Sequence, residues 1–219
     1  MLALTFACGP LQANCSILAQ DDDSDCVIID PGMDAAEAVK ARLAHHRLTP
    51  TAILATHGHI DHIGDAAGLA DYFDIDLHIH PADRHLLTDP GAGLSPDLAW
   101  WAHAAYPDGL REPRRVVDLT DMGQVISAGL ELTVIHTPGH TPGSVVYQLD
   151  ADRGQTSLFT GDLLFAGSIG RTDFPGGDPI AMTASLTRLQ ADVPHSARLI
   201  PGHGPASTMS NEIATNPYL

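Results

Sequence analysis

Basic residues are scarce in this chain of 219 residues, which carries 11 Lys and Arg against 27 Asp and Glu and a formal net charge of −16. An electrostatic field of this sign repels polyphosphate backbones. We therefore expect no nucleic-acid partner, and we interpret the acidity as a solvated surface.

Cysteine and long hydrophobic runs are also in short supply. The three cysteines, Cys8, Cys15 and Cys26, are odd in number and show no CxxC spacing, which predicts buried thiols rather than a disulfide framework or a zinc cluster. No apolar run approaches the roughly 18–20 residues of a membrane-spanning helix. The start of the chain lacks the positive charges of a secretory signal. We expect a cytoplasmic protein that does not enter a membrane.

The order of apolar patterns along the chain predicts mixed α/β structure in one domain over residues 1–219. Helical spacing predicts helices over 34–46, with Asp34 as the N-cap, over 65–73 and over 179–190. The segment 91–109, GAGLSPDLAWWAHAAYPDG, predicts an irregular aromatic stretch. Strands are expected at 2–7, 14–19, 26–30, 52–55, 77–80, 130–137, 144–149, 156–162 and near 197–204. This order predicts two sheets with helices outside them, a layered sandwich.

Four metal-capable side chains lie within the six residues HGHIDH. In an extended segment, residues two apart point the same way, so His57 and His59 can share one ion. Asp61 and His62 are adjacent and diverge on a strand, but both can face a cleft if a helix starts there. This pattern is far more specific than a lone histidine pair and predicts a site for one ion or two.

Three more candidate ligands lie in turns that follow predicted strands. His140 stands between two Pro-Gly turns in HTPGHTPGS, Asp162 follows a buried strand in TGD, and His203 ends a strand in PGHG. Functional side chains are typically found in such loops. The other histidines lack this context and are interpreted as surface or packing residues: His45, His46, His78, His80, His85, His103, His136 and His195.

The motifs VIIDPG, HGHIDH, PGHTPGS, TGD and PGHG, in this order, resemble the metallo-β-lactamase superfamily over nearly the whole chain. The resemblance implies a four-layer αββα sandwich with the metals at one edge between the sheets. It implies that Asp162 bridges two ions and that Asp30 orients a ligand rather than binding metal. The implied ligands are His57, His59 and His140 for the first ion, and Asp61, His62 and His203 for the second.

The stretch LFAGSIGRTDFPGGD and the closing NEIATNPYL are similar to glyoxalase-II-like hydrolases, in particular the short bacterial form. The resemblance does not extend to the helical C-terminal domain that supplies much of the glutathione site in the full-length enzyme. It implies hydrolysis of a 2-hydroxyacyl thioester, such as a lactoylglutathione-like compound, with two divalent ions. Zinc is expected, with iron or manganese as alternatives. Asp61 is expected to accept a hydrogen bond from the attacking hydroxide and aim it.

Other functions are compatible with the same residues. A persulfide dioxygenase of this fold uses one iron, which His57, His140 and Asp162 could hold. A coordinating His203 favours the hydrolase instead. A lactonase is a further alternative, and a β-lactamase is disfavoured because the chain shows no export signal. A protein that binds metal or a partner without turnover is disfavoured because every expected ligand position is filled. The sequence carries no signal for an oligomeric state.

Substrate contacts are less strongly indicated than metal ligands. Arg171 is a candidate for binding an anionic substrate group, because guanidinium pairs well with carboxylate. A structural ion pair with Asp173 is the equally weighted alternative. Trp100 and Trp101 lie in the aromatic stretch, where they either cover the substrate or hold the loop to the body.

Overall fold

The first sheet is built almost entirely from the first half of the chain. The computed structural model describes residues 1–151 and 154–219. The sheet has six strands in sequence order, and the first three pair antiparallel while the last three continue in parallel. These strands are β1 (Leu2–Cys8), β2 (Ala13–Ala19), β3 (Asp25–Ile29), β4 (Thr49–Leu54), β5 (Asp76–Ile79) and β6 (Val116–Asp118).

The second sheet comes from the later strands. These are β7 (Met122–Ser127), β8 (Leu130–His136), β9 (Val145–Ala151), β10 (Gln155–Gly161), β11 (Leu164–Phe165), β12 (Ser168–Ile169), β13 (Arg198–Pro201) and β14 (Ser207–Thr208). Six of them form a sheet in the order β14-β13-β10-β9-β8-β7, and β11 and β12 form a separate hairpin. The sheet is antiparallel except where β10 pairs with β13.

Helices cover the outer face of each sheet. They are α1 (Ala36–His46), α2 (Ile60–Ile63), α3 (Ala66–Phe73), α4 (Pro96–Ala105), α5 (Pro179–Asp192) and α6 (Met209–Thr215), with a 3-10 helix at Pro81–Leu87. Helices α1 and α3 pack on the first sheet, and α5 and α6 pack on the second. Between the sheets lies an apolar layer that includes Leu54, Leu132 and Tyr147. The predicted four-layer αββα sandwich is confirmed.

Strand β3 shows how the sequence specifies these layers. Its residues alternate between the two faces of the sheet, as the pleat requires. Cys26 and Ile28 contact the helix layer, whereas Val27 and Ile29 contact the second sheet. Because both faces are buried, the strand is apolar from Cys26 to Ile29 rather than alternating with polar residues.

Two local expectations are wrong. The segment 91–109 contains α4, which begins after Ser95 with Pro96 in its first turn, a combination that is typical of a helix start. Asp34 does not cap α1, because it has a left-handed backbone with φ 57° and the helix begins at Ala36. The amide of Ala36 donates instead to the carboxylate of Asp65 at 2.7 Å. A distant side chain therefore caps α1, which a local pattern could not predict.

Two other expectations concern the state of the cysteines and the presence of membrane-spanning helices. Cys8, Cys15 and Cys26 are buried and free of disulfides, as the sequence predicts. Within the described residues, no helix combines the length and apolar character that crossing a membrane requires.

Candidate metal centre

All the predicted metal ligands come together at one edge of the sandwich, where strands of both sheets end. His57 and His59 follow β4, and Asp61 and His62 lie in the short helix α2. Asp162 directly follows β10. His140 lies in the loop between β8 and β9, and His203 lies just after β13. Because β10 and β13 are parallel neighbours, their carboxyl ends bring Asp162 and His203 to the same place.

The first group of side chains consists of His57, His59 and His140, which are all buried. One possible ligand atom from each lies within 4.8 Å of the others. The Nδ1 atom of His59 and the Nε2 atom of His140 are 2.9 Å apart. The opposite nitrogens of these two rings contact the backbone carbonyls of Gly93 at 3.1 Å and Arg171 at 2.7 Å.

The second group consists of Asp61, His62 and His203, and their possible ligand atoms meet the same distance criterion. The Nε2 atom of His203 lies 3.1 Å from Asp61 Oδ2 and 3.3 Å from His62 Nε2. Asp162 stands between the groups. Its Oδ2 atom is 3.4 Å from His140 Nε2 and 3.7 Å from His203 Nε2, and its Oδ1 atom is 3.4 Å from His62 Nε2.

The hydrogen bonds behind the rings fix which nitrogens are free. The backbone carbonyls accept from His59 Nε2–H and His140 Nδ1–H, so the two nitrogens that face each other both carry lone pairs. Thr56 Oγ1 donates to Asp30 and therefore accepts from Nδ1–H of His57 at 3.1 Å. The Nε2 atom of His57 is buried without a hydrogen-bond partner, as is Oδ1 of Asp162. Converging lone pairs and unpartnered buried acceptors fit a bound cation.

Asp30 lies directly behind the second group. Its Oδ2 atom accepts from Nδ1–H of His62 at 2.9 Å and from the hydroxyl of Thr56 at 2.6 Å. Its Oδ1 atom accepts from the amide of Thr56 at 2.7 Å. A carboxylate in this position fixes the tautomer and the orientation of the ring, as carboxylates behind metal-binding histidines do.

Asp83, in the 3-10 helix, has a corresponding place behind the first group, and sequence reasoning missed it. Its fully buried carboxylate accepts from the amide of Gly58 at 2.9 Å and the amide of Gly143 at 2.7 Å. It also accepts from the hydroxyl of Thr141 at 2.6 Å. One side chain thus joins the loop of His57 and His59 to the loop of His140. No local sequence signal marks such a long-range contact.

Gly202 shows how closely the backbone approaches this centre. A Cβ atom at this position would overlap the carboxylate of Asp162 and the ring of His62. The glycine of PGHG therefore lets β13 end against the two side chains and present His203 beside them.

The two groups differ in the pKa values of their histidines, because their surroundings differ. Burial and the neighbouring imidazoles lower the pKa of His57 well below its ordinary value and that of His59 to about 4, which keeps both rings neutral. Burial opposes charge on His62 too, but Asp61 and Asp162 raise its pKa well above the ordinary value. Burial raises the pKa of Asp61, and its neighbours His62 and His203 outweigh this effect and lower it.

A cavity of about 410 Å³ opens onto the centre. Its polar wall includes ligand candidates from both groups: His59, Asp61, His140, Asp162 and His203. The rest is mainly apolar, with Leu11, Leu94, Leu98, Trp101, Phe165, Ile169 and Phe174. A concave apolar site with a few convergent polar groups is typical of small-molecule binding.

Arg171 and the two tryptophans occupy different positions around this cavity. Arg171 lines it, and its guanidinium forms a two-pronged ion pair with Asp173, with both N···O distances 2.7 Å. Of the two sequence alternatives, the ion pair with Asp173 is the contact seen in the structure. Trp101 lines the cavity and packs against the apolar cluster that includes Leu94 and Phe174, whereas Trp100 is 75% exposed.

Another His and Asp group lies outside this centre and consists of His80, Asp121 and His136. The two imidazole rings are stacked with centroids 4.1 Å apart and an interplanar angle of 7°. Lone pairs of stacked rings run side by side rather than converging on one point. Asp121 instead accepts a hydrogen bond from His80 Nε2–H at 3.0 Å, which we interpret as a structural contact.

The arrangement of these motifs is matched by a known family. The family model described as the metallo-β-lactamase superfamily matches residues 8–203. The chain belongs to the metallo-β-lactamase superfamily. Members of this superfamily are generally metal-dependent hydrolases that bind two metal ions. The His and Asp groups described above fit a metal site in such a protein.

Two relatives align with this chain over most of its length. An uncharacterised protein of Mycobacterium tuberculosis is 41% identical, covering 100% of this chain and 98% of the relative. The hydroxyacylglutathione hydrolase GloC of Haemophilus influenzae is 31% identical, covering 95% of this chain and 93% of the relative.

Two solved structures of the superfamily superpose over nearly the whole chain. BLEG-1, a B3 metallo-β-lactamase, is 35% identical with a TM-score of 0.85, and the match covers 99% of both chains. TTHA1623 in a di-iron-bound form is 36% identical with a TM-score of 0.79, covering 99% of this chain and 100% of that one. These neighbours share one fold but differ in the activity or metal that their descriptions name.

Proposed function

We propose that this chain is a binuclear metal-dependent hydrolase that cleaves a 2-hydroxyacyl thioester to an acid and a free thiol. The observation that carries the proposal is the pair of side-chain groups that share Asp162. His203 completes the second group at 3.1 Å from Asp61. A single ion held by His57, His140 and Asp162 would not need this histidine.

In this proposal, His57, His59 and His140 would hold the first ion, Asp61, His62 and His203 would hold the second, and Asp162 would serve both. When bound, two divalent ions would lower the pKa of a water molecule and polarise the thioester carbonyl. Zinc is the proposed metal, because imidazole and carboxylate ligands suit it and a thiolate product binds it well. Iron is the main alternative, which the similarity to a di-iron structure supports.

The side chains of this chain contribute orientation and exclusion of water. Asp61 is ionised, because His62 and His203 lower its pKa. We assign it the role of accepting a hydrogen bond from the attacking water and holding that water in line with the carbonyl. The apolar walls around Leu94 and Phe174 keep bulk water away from the reacting bond.

The similarity to GloC supports the thioester class, because that relative is named a hydroxyacylglutathione hydrolase. The similarity to BLEG-1 makes β-lactams a necessary comparison. The same arrangement of side chains could serve hydrolysis of several kinds of activated carbonyl, so the reaction class must be separated by substrate rather than by fold.

The test is an assay of purified protein of known metal content against a lactoyl thioester, a lactone, a β-lactam and a persulfide. We expect about two ions per chain, release of free thiol from the thioester and loss of this activity on chelation, with recovery when zinc is added back. Full activity in a verified metal-free sample would refute the proposal. Oxygen uptake on the persulfide with one iron per chain would replace it with the dioxygenase.

A further inference from the structure

The cavity above the metal-binding residues has walls that suit an uncharged ligand. Trp101 and Leu98 come from α4, and Phe165 and Ile169 come from the β11–β12 hairpin. Phe174 closes the side next to His59, with 6.1 Å between the ring centroids. These surfaces can bury hydrocarbon or an uncharged amide chain, but they offer a carboxylate no partner.

One lysine or arginine side chain lines the cavity within the part of the chain that the structure describes, and its charge is already compensated. Arg171 presents Nε and one terminal amino group to Asp173, with both N···O distances 2.7 Å. Its guanidinium carbon also lies 3.6 Å from the centroid of the Phe174 ring. A substrate carboxylate would have to compete with Asp173 for the same fork of donors.

Because glutathione is charged, a cavity with apolar walls and a paired arginine would discriminate against its thioesters. A glutathione thioester brings two carboxylates and one ammonium group to the protein. Binding it would bring its carboxylates to a cavity whose arginine is already paired with Asp173, in a chain whose formal net charge is −16. Like charges without a counter-ion weaken binding and slow association.

We propose that this cavity selects thioesters whose thiol portion is uncharged, and that Asp173 is a specificity-determining residue that neutralises Arg171. The inference rests on the proposed thioesterase function and names the substrate class within it. Asp173 acts by occupying the guanidinium of Arg171, which could otherwise pair with a carboxylate of the thiol carrier.

The first experiment compares two thioesters with the same acyl group, S-lactoyl-N-acetylcysteamine and S-lactoylglutathione. We expect kcat/KM to be at least about tenfold higher for the uncharged compound. The Asp173→Asn variant frees Arg171, so this ratio should fall by about threefold to tenfold. Asp192→Asn, which removes an exposed charge at the end of α5, is the matched control and should leave the ratio unchanged.

The second experiment measures binding without turnover and keeps the two proposals separate. The non-hydrolysable thioethers S-propyl-N-acetylcysteamine and S-propylglutathione are titrated into the protein while tryptophan fluorescence is recorded. We expect tighter binding of the uncharged thioether, with a fluorescence change that persists in Trp100→Phe and is lost in Trp101→Phe. These residues are matched, because Trp101 lines the cavity and Trp100 is exposed.

Each outcome decides one of the proposals. Equal or better use of the glutathione thioester, or a ratio that Asp173→Asn does not change, overturns the selectivity proposal. If neither thioester is hydrolysed, the proposed function fails, and the thioether titration still decides the ligand class. Tighter binding of S-propylglutathione in that titration overturns the inference as well.

Discussion

The two groups at the metal centre use similar residues in different electrostatic settings. His57, His59 and His140 are three imidazoles with at most 3% of each residue exposed. The second group has a carboxylate, Asp61, and the side chain of His203 is 27% exposed. Burial and like neighbours lower the pKa of His57 and His59, whereas carboxylates raise the pKa of His62.

This difference indicates how each group is organised for metal. In the first group the lowered pKa values keep His57 and His59 neutral, and backbone carbonyls contact the ring nitrogens of His59 and His140 that face away from the centre. The second group includes the partly exposed His203, and the segment that carries this residue is hydrogen-bonded to the first sheet. The backbone N–H of Asn14 donates to Gly202 O at 2.7 Å. We infer that the first group is the more preorganised and binds its ion more tightly.

Removing the shared carboxylate should have the largest effect, because it breaks both groups at once. In Asp162→Ala, we expect both ions to bind much more weakly and kcat/KM to fall by about a thousandfold, or about 4 kcal/mol. Metal content after gel filtration and the rate of thioester hydrolysis are the two measurements. A variant that retains two ions would show that Asp162 does not connect the groups.

Removing His203 should separate the groups rather than abolish both. We expect His203→Ala to retain the first ion and lose the second, so that the metal content falls from about two per chain to about one. Activity should fall by about a hundredfold, or about 2.7 kcal/mol. His195→Ala is the matched control, because His195 is exposed and belongs to neither group. Loss of both ions in His203→Ala would contradict the preorganised first group.

The candidate ligand positions could be chosen from the sequence because each has a strong local signal. HGHIDH combines period-two spacing with a helix start, and His140, Asp162 and His203 each follow a strand and a glycine-containing turn. The candidate ligands can meet only if the ends of strands from both sheets lie at the same edge of the sandwich. The order of the motifs along the chain therefore predicts the fold as well as the site.

The residues behind the ligands could not be predicted in the same way. Asp83 contacts Gly58 and Gly143, which are 25 and 60 residues away in the chain. Asp65 caps α1 from a distance of 29 residues. Such contacts depend on the packing of loops rather than on any periodicity. Helix α4 differs, because Ser95 and Pro96 were a readable start signal that the aromatic composition of the segment obscured.

The two buried carboxylates behind the centre offer a finer comparison of the groups. Asp30→Asn removes the charge that accepts from Nδ1–H of His62, and Asp83→Asn places an amide N–H against backbone donors of the first group. We expect Asp30→Asn to weaken the second ion, and Asp83→Asn to weaken the first, each by about 10-fold to 100-fold. Competition with a metal chelator gives both affinities.

Measuring the free energy of unfolding together with metal affinity shows whether Asp83 positions the ligands or only stabilises the fold. Asp83→Asn leaves at least one buried donor unsatisfied, so the free energy of unfolding should fall by about 1–3 kcal/mol. Asp97→Asn, which changes an aspartate in the first turn of α4, is the matched control and should leave metal affinity unchanged. If Asp83→Asn lowers stability but leaves the first ion's affinity intact, Asp83 supports the fold and does not position the ligands.

The smallest expected effect concerns the three buried cysteines, whose thiols lie outside the His and Asp groups. Burial raises the pKa of Cys26 to about 12 and that of Cys15 well above its ordinary value, so both thiols stay protonated at pH 8. A protonated thiol is a poor nucleophile and a poor metal ligand. We expect no reaction with a thiol reagent in the native protein at pH 8, and reaction of three thiols per chain after unfolding.

The same burial predicts a dependence of stability on alkaline pH. Because the folded pKa of Cys26 is raised, its protonation contributes full stability below the unfolded pKa of about 9, and this contribution declines as pH rises toward 12. Urea unfolding at pH 8 and pH 10.5 should therefore show a loss that is smaller by about 1–2 kcal/mol in Cys26→Ala than in the unmodified protein. Equal losses in both proteins would mean that the thiol of Cys26 ionises readily in the folded state.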